Sequence, residues 1–420
     1  MTVAAGAVRS AAATCRLCAE PLTHIFADLG ATPLANSYLA PEQLNEMEPY
    51  YPLRAFVCRR CFLVQLEAFA PPETIFSHYA YFSSYSDTLL NHAKKYAEMI
   101  VQRVEVGPGD RVIEIASNDG YLLQYFLEKG VDVFGIEPAA NVAEAARARG
   151  ISTMVRFFGS EVARELAAQG RRARLIVANN VLAHVPDLND FVAGLKILLE
   201  PDGLITLEFH HLLSLIVNHQ FDTIYHEHFQ YFSLATARET LAAHGLVIVD
   251  VEELPIQGGS LRVYASHWDD RSRMPSPRVI EVLAKEEAAG LRNMACYLSF
   301  SEHIKDMKFD LLSFLVAARQ AGKSVVCYGA AAKGNTLLNY CGIRADLIQE
   351  AVDRNPHKQG HFLPGSRIPI HHPDRVSATK PDYLLVLPWN LRDEIMEQMS
   401  YIRSWGGQFV VPIPDLQVFP

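Results

Sequence analysis

The stretch FDTIYHEHFQYF, residues 221–232, sets Tyr225, His226, Glu227 and His228 in a row. Six of the chain's 16 histidines fall between His184 and His228. Imidazole serves near neutral pH as a proton acceptor, a metal ligand or a core group satisfied by backbone. The concentration is therefore open to three readings: a mononuclear metal site, an acid/base cluster, or core histidines gathered by composition. On an extended segment His226 and His228 share one face, with Tyr225 and Glu227 on the other. The i, i+4 spacing of the helical HExxH zinc motif is absent. Removing a proton near pH 7 needs a base of matching strength, and histidine, with an ordinary pKa of about 6.5, suits that task. A developing oxyanion needs a donor, which a tyrosine hydroxyl or a second imidazole supplies. With base and donors side by side, the segment reads as a catalytic cluster.

Cysteines form the second constellation. Cys15 and Cys18, then Cys58 and Cys61, make two CxxC pairs, while Cys296, Cys327 and Cys341 stand alone in apolar surroundings. Each tight turn aims two thiolates at one point, and four thiolates close a tetrahedral structural zinc site. A disulfide pair would need an oxidising compartment, and a redox motif would need only one pair.

These residues need elements to hold them. Residues 110–150 read as strand, tight turn, helix, strand, acid, helix, which opens a doubly wound α/β domain with its ligand at the carboxyl ends of the strands. The first strand ends in EIASNDG, Glu114 to Gly120; the helix YLLQYFLEKG follows, and the second strand ends at Glu137, ahead of Pro138. Ala116 and Asn118 stand where a dinucleotide fingerprint has glycines, so a pyrophosphate is the less expected guest, and a plain β–α turn without ligand stays open. Further on, an apolar strand delivers Asn179, Asn180 and His184 to the same end. A helix, a Pro-Asp-Gly turn and another strand come next, then two strands around Gly258-Gly259.

Residues 276–320 read as amphipathic helices. From Ser324 the pattern becomes a strand, a turn carrying Gly329, and a helix with Lys333 and Asn335. Such a turn points amides at an anion, and Lys333 adds a mobile positive charge. A second strand ends in Asp353, so this part reads as a second Rossmann-like unit; Trp389 and Asn390 lie beyond a later strand, placed to meet a base or to sit in the core. A structural half-domain that mediates dimers is the alternative.

The order of EIASNDG, GIEP, ANNVLAHVPD, FDTIYHEHFQYFS and PIQGGSLR resembles the S-adenosylmethionine-dependent methyltransferases that add carbon-bound methyl groups to nucleotide-linked deoxysugars. The N-terminal four-cysteine module and the C-terminal segments resemble theirs too, so the likeness covers nearly the whole chain. It implies a class I methyltransferase sheet between a zinc module and a Rossmann-like domain, with domains at 1–72, 73–268 and 269–420. It implies that Glu137 binds the cofactor's ribose, with the Glu114–Gly120 turn at the methionine end and Pro138, Asn179 and Asn180 nearby. It also implies that His228 is the general base, aided by Tyr225, Glu227, His184 and a tyrosine at Tyr79 or Tyr81. Gly329, Lys333, Asn335, Asp353, Trp389 and Asn390 would hold a nucleotide-sugar. One departure stands out: His210 and His211 follow Phe209 where the family has a small residue or proline and a tyrosine.

Composition agrees. Half the residues are apolar and the formal net charge is −9, which speaks against a nucleic-acid binder. No apolar run reaches the roughly 18 residues of a membrane span, and the Ala-rich opening lacks the features of a signal peptide. A cytoplasmic monomer or homodimer is expected. Two rival readings remain: a methyltransferase for a non-sugar acceptor, and a non-catalytic binding protein that keeps the fold.

Overall fold

The computed structural model describes residues 13–69, 71, 75, 82–270 and 272–420. Tyr79 and Tyr81 lie outside the described residues.

The central sheet has seven strands: β4 (Arg111–Ile115), β5 (Asp132–Ile136), β6 (Ser152–Met154), β7 (Ala173–Asn179), β8 (Leu199–His210), β10 (Leu246–Leu254) and β11 (Ser260–His267). Their order is β10-β11-β8-β7-β4-β5-β6. All run parallel except β11, which is antiparallel to both neighbours. The order reverses between β4 and β7, where a doubly wound sheet opens its ligand crevice. Strands β4 and β7 are buried along nearly their whole length, as their continuous apolar runs require in a sheet covered on both faces.

Two local expectations change. The helix after β4 is short, Leu123–Leu127, because the chain first makes a turn at residues 117–122. Pro201-Asp202-Gly203 does not precede a strand; it is a bulge inside β8, where Ala173 pairs with Leu199 but Leu175 already pairs with Leu204. A Pro and Gly at a strand's edge suit such an irregularity.

A second doubly wound sheet follows the helices Pro277–Ala288 and Met294–Gln320. It contains β12 (Val325–Tyr328), β13 (Ala351–Val352), β14 (Ile370–His371), β15 (Tyr383–Val386), β16 (Gln408–Val411) and β17 (Gln417–Phe419). Its order is β14-β13-β12-β15-β16-β17, with only β17 antiparallel. The same reversal occurs on either side of the first strand, so the Rossmann-like plan is present twice.

The N-terminal module is a sheet of β1 (His24–Thr32), β2 (Tyr51–Val57) and β3 (Val64–Leu66), extended by β9 (Gln230–Tyr231) from far along the chain. Phe26 of β1 stacks on Phe300 of the long helix, with centroids 4.5 Å apart. The three sequence segments therefore share cores.

The helix Leu188–Leu198 sits so close to the loop before Ser160 that a Cβ on Gly194 would lie 2.9 Å from the Gly159 carbonyl carbon and oxygen. Alanine is worth about 1 kcal/mol over glycine in a helix interior, whereas overpacking costs about 1–3 kcal/mol. Backbone cannot rotate aside as a side chain can. Gly194→Ala should thus destabilise the protein by about 1 kcal/mol or more despite the helix gain, read as a lower urea midpoint with unchanged slope.

Candidate active site

One cavity of about 910 Å³ opens over the carboxyl ends of β4, β5, β7 and β8, and all three modules wall it. On the side of the sheet's reversal it is lined by Ile115, Ala116, Asn118, Ile136, Glu137, Pro138 and Asn180. Ala116, Asn118 and Asn180 hold φ of 55°, 49° and 55°, backbone that glycine usually takes. The turn thus keeps a glycine-type path without glycine, a strain that tends to collect at functional sites. Gly120 (φ 77°) is glycine for a packing reason too, since a Cβ there would lie 2.3 Å from Ile151 Cδ1.

The turn is tied to the acid after β5. Glu137 Oε2 accepts from the Asn118 amide at 3.0 Å, and Oε1 from the Ala139 amide at 2.9 Å. Burial raises the Glu137 carboxyl above its usual range, against the pull of those two amides. Glu114, Asp119, Gly120 and Asn179 do not line the cavity. Glu114 is buried within β4, pushed well up by desolvation and by Glu137 and Asp119. Asp119 accepts from Ser84 and pairs with Arg149 at 3.3 Å, so it braces the loop from behind.

The histidine segment is a turn. The His228 amide donates to the Tyr225 carbonyl at 2.9 Å, so the expected extended geometry, with His226 and His228 on one face, does not occur. The reversal turns His226 away from the cavity and buries it against the N-terminal module, where its Nε2 meets the Pro52 carbonyl at 3.1 Å and its ring packs on Tyr51. It turns Tyr225, Glu227 and His228 into the cavity. The Tyr225 ring lies 4.0 Å from that of His228, and His184 meets it edge-on at 4.7 Å.

Hydrogen bonds fix which nitrogen of His228 is free. Nδ1 lies 2.8 Å from the Thr223 carbonyl, which can only accept, so Nδ1 carries the proton and Nε2 keeps its lone pair. Desolvation first, then His184, His210 and Lys333, hold this imidazole well below its ordinary pKa, against the pull of the Thr223 carbonyl. Burial likewise lowers His184 to about 4, against a hydrogen bond to the Glu227 backbone. Both rings are neutral at physiological pH. Glu227 is held from the N-terminal module, where Asn36 Nδ2 donates to its Oε1 at 2.5 Å.

Of the two flagged histidines, His211 points away and pairs with buried Glu286 at 2.8 Å, whose carboxylate also accepts from the amides of Leu234 and Ala235. His210 stays on the cavity wall.

From the C-terminal unit, Lys333 and Asn390 reach the cavity, while Gly329, Asn335, Asp353 and Trp389 do not line it. Lys333 is pinned rather than mobile: Nζ donates to Asn390 Oδ1 at 3.3 Å and the Gln257 carbonyl at 3.5 Å, and lies 4.8 Å from the Trp389 ring. The Trp389 indole N–H is engaged by Asp222 Oδ2 at 2.7 Å and cannot also bind a base. Asn335 donates to the Ala35 carbonyl at 2.6 Å. A Cβ on Gly329 would lie 2.6 Å from Pro388, so that glycine serves packing.

Sequence reasoning passed over Asn36, His92, Lys95 and Lys358, which also line the cavity. The helix Asp87–Val104 brings Thr88, Asn91, His92 and Lys95 to that wall at i, i+3, i+4 and i+7, a polar stripe that was legible. Behind it, buried Glu208 joins His92 at 3.0 Å and Arg262 at 2.8 Å. Nothing local in the sequence connects Asn36 to Glu227.

The four thiols Cys15, Cys18, Cys58 and Cys61 lie within 4.8 Å of one another, with sulfur separations of 3.5 Å (Cys15–Cys61), 3.5 Å (Cys18–Cys58) and 3.7 Å (Cys18–Cys61). Tetrahedral zinc at about 2.3 Å from each sulfur sets the edges at about 3.8 Å, so the cluster fits. Among the described residues it is the one group where three or more His, Cys or acidic donors converge. Among them, too, no helix is long and apolar enough to cross a membrane.

A sheet of this order, with a buried acid beside a left-handed turn at its reversal, defines an S-adenosylmethionine-dependent methyltransferase. Family models match in three consecutive stretches: a zinc binding domain over residues 15–76, a methyltransferase domain over 89–251 and a C-methyltransferase C-terminal domain over 255–414. The chain is 37% identical to C-methyltransferase NovU of Streptomyces niveus over 406 residues, 96% of each chain. It therefore belongs to that C-methyltransferase family. A shorter likeness, 30% over 97 residues, links it to a ubiquinone biosynthesis O-methyltransferase of Chelativorans sp., covering 23% of this chain and 38% of the other. Among solved structures, magnesium protoporphyrin IX methyltransferase (ChlM) from Synechocystis PCC 6803 with bound SAM aligns at 16% identity and TM-score 0.33, over 43% of this chain and 82% of the other.

Zinc loss should be felt at a distance, because β9 follows the His228 turn and pairs with the β3 that Cys58 and Cys61 precede. The purified protein should carry about one zinc per chain by elemental analysis, as four ligands from one cluster imply. Cys58→Ser should lose it, unfold at lower temperature and lose activity, although no cysteine lines the cavity.

Proposed function

We propose that the enzyme transfers a methyl group from S-adenosylmethionine to a carbon beside the keto group of a nucleotide-linked deoxysugar. The thymidine-linked 4-keto sugars of natural-product or cell-surface sugar biosynthesis are the favoured acceptors. The observation that carries this reading is His228: a neutral imidazole, its free lone pair set by the Thr223 carbonyl, on the wall of a cavity that continues to Glu137.

Glu137 takes the cofactor's ribose hydroxyls, and the Ala116–Asn118 turn receives the methionine end. When bound, the cofactor supplies an electrophilic methyl group on a positively charged sulfur. His228 Nε2 removes the proton next to the ketone, leaving the electron pair on carbon and the carbonyl oxygen. A base with a depressed pKa is always available but weak, so the negative charge on that oxygen needs help. Lys333 provides it as a fixed charge in a dry site, where preorganised electrostatics acts most strongly. Tyr225, His184 and Glu227 orient the sugar, and Tyr79 or Tyr81 remains a candidate for the same duty. Asn390 and Lys358, also on the cavity wall, are the groups we assign to the nucleotide diphosphate. Much of the acceleration is then positioning.

In deuterium oxide without cofactor, the protein should exchange the proton beside the ketone of a thymidine-diphosphate 4-keto-deoxysugar. With methyl-labelled cofactor it should place label on that carbon, read by NMR. His228→Asn should lose both by a factor of about 10² or more, with cofactor affinity within a few-fold of the parent. Label on oxygen, or no transfer to any such sugar despite tight cofactor binding, would defeat the reading.

The pH profile follows from the same group. The active form is neutral His228, and its pKa is lowered in the folded protein by burial and by its neighbours. Activity should persist as pH falls through 6.5, the ordinary histidine value, and decline only below it. An acid limb centred at or above 6.5 would show that another group is the base.

A further inference from the structure

His210 closes β8 and faces the same cavity, yet its hydrogen bonding is set from behind. Gln220 is buried, and its Nε2 donates to the Gly258 carbonyl at 2.8 Å. A carbonyl can only accept, so the amide is held one way round and its Oε1 is turned toward His210. That oxygen lies 2.6 Å from His210 Nε2 and is itself an acceptor, so the proton resides on Nε2. His210 Nδ1 is left as a bare lone pair. No described residue donates to it, and half-buried His210 lines the cavity, so Nδ1 is the ring nitrogen left to meet a ligand there.

We propose that His210 is a specificity residue whose Nδ1 accepts a hydrogen bond from a free hydroxyl of the acceptor close to the reacting carbon. This rests on the proposed sugar acceptor. The chain Gly258–Gln220–His210 makes the site acceptor-only, so it receives a hydroxyl and offers nothing to a ketone or an ether. Loss of water first, then the charge of Lys333, lowers the pKa of this ring to about 3 against the pull of Gln220, so the site does not become a donor in the working range. His210 and His228 thus share one design: each is locked in a single tautomer by a carbonyl-type oxygen, and each presents its other nitrogen to the cavity. They differ in task, since a lone pair that meets an O–H positions while one that meets a C–H deprotonates.

The test uses two nucleotide-linked 4-keto sugars that differ only in one hydroxyl near the methylated carbon, assayed with parent, His210→Phe and His210→Asn. A site built to bind a hydroxyl rejects the analogue lacking it strongly. The parent should favour the hydroxylated sugar at least tenfold in kcat/KM, expressed mainly in KM. Phe, which fills the space without an acceptor, should collapse that ratio toward one while methyl transfer to the deoxy sugar continues. Asn, which restores an acceptor oxygen, should recover part of it. Equal use of both sugars by the parent, or an undiminished ratio in His210→Phe, would overturn the assignment and leave the methyltransferase reading standing. No transfer by the parent to either sugar would bring down the acceptor reading and this one with it. Should His210→Phe fail to fold, the ¹⁵N spectrum of labelled parent decides. It should show an Nε2–H tautomer at His210 whose Nδ1 resonance moves on adding the hydroxylated sugar and stays with the deoxy one; an Nδ1–H tautomer would end the proposal.

Discussion

The pairing of β9 with β3 is the constraint on which the site depends. Val64 faces Tyr231 and Gln65 faces Gln230, so the two residues just past the His228 turn become an edge of the N-terminal sheet. The other end of the turn is fastened too: Thr336 donates to the Ile224 carbonyl at 3.2 Å, and Trp389 to Asp222. A five-residue turn held at both ends by different modules has little freedom left, and positioning is worth most when paid in advance during folding. The four-thiol cluster thereby braces the sheet that receives β9, the strand that follows the His228 turn. Gln65 makes the link short, because its Nε2 lies 3.2 Å from Cys15 Sγ while its backbone pairs with Gln230.

The second organising feature is the neutrality of the histidines near Lys333. His184, His210 and His228 are all held neutral by burial, leaving Lys333 as the cation set among them. Its own pKa is lowered by desolvation, and Asp222 opposes that loss. Asp222 is in turn raised to about 6 by burial, with Lys333 and the Trp389 indole pulling it back. The ammonium thus has a weak, hydrogen-bonded counter-charge behind it and neutral rings in front. That arrangement leaves much of the ammonium's field uncancelled toward the cavity, where a tight salt bridge would have quenched it.

Much of this was legible in the chain. Alternation of apolar strands with helical stretches marks both doubly wound units, and CxxC spacing marks the thiol cluster, because these signals depend on neighbours in sequence. Glu137 and Lys333 could be placed for the same reason, each sitting just beyond a strand end. What could not be read was whatever depends on a turn or on a distant partner. His226 and His228 were separated by one reversal at Tyr225–His228 that no glycine or proline announces. Trp389 was open to meeting a base or to sitting in the core, and nothing nearby in sequence pointed to Asp222, 167 positions away, as the holder of its N–H. Asn36 gave no sign of reaching Glu227 across 191 positions.

The two Rossmann-like units show how one local device takes two uses. Glu137 clamps the amides of Asn118 and Ala139, and Asp353 clamps those of Ala330 and Asn355, at 2.7 and 2.8 Å. In both, the acid after the second strand fixes the turn after the first. The difference lies in what else touches the carboxylate. Lys358 pairs with Asp353 at 3.6 Å, so that acid has a cation beside it, and it does not line the cavity. Glu137 lines the cavity with no cation paired to it among the described residues, and burial presses its charge. An uncompensated buried carboxylate is costly unless something with hydroxyl or positive character arrives to share it. The first unit thus keeps that cost where a ligand can relieve it, whereas the second has discharged it with a lysine and turned the clamp into scaffold. The C-terminal unit reaches the other unit's crevice instead through Lys333, which its first turn and helix carry to the cavity wall.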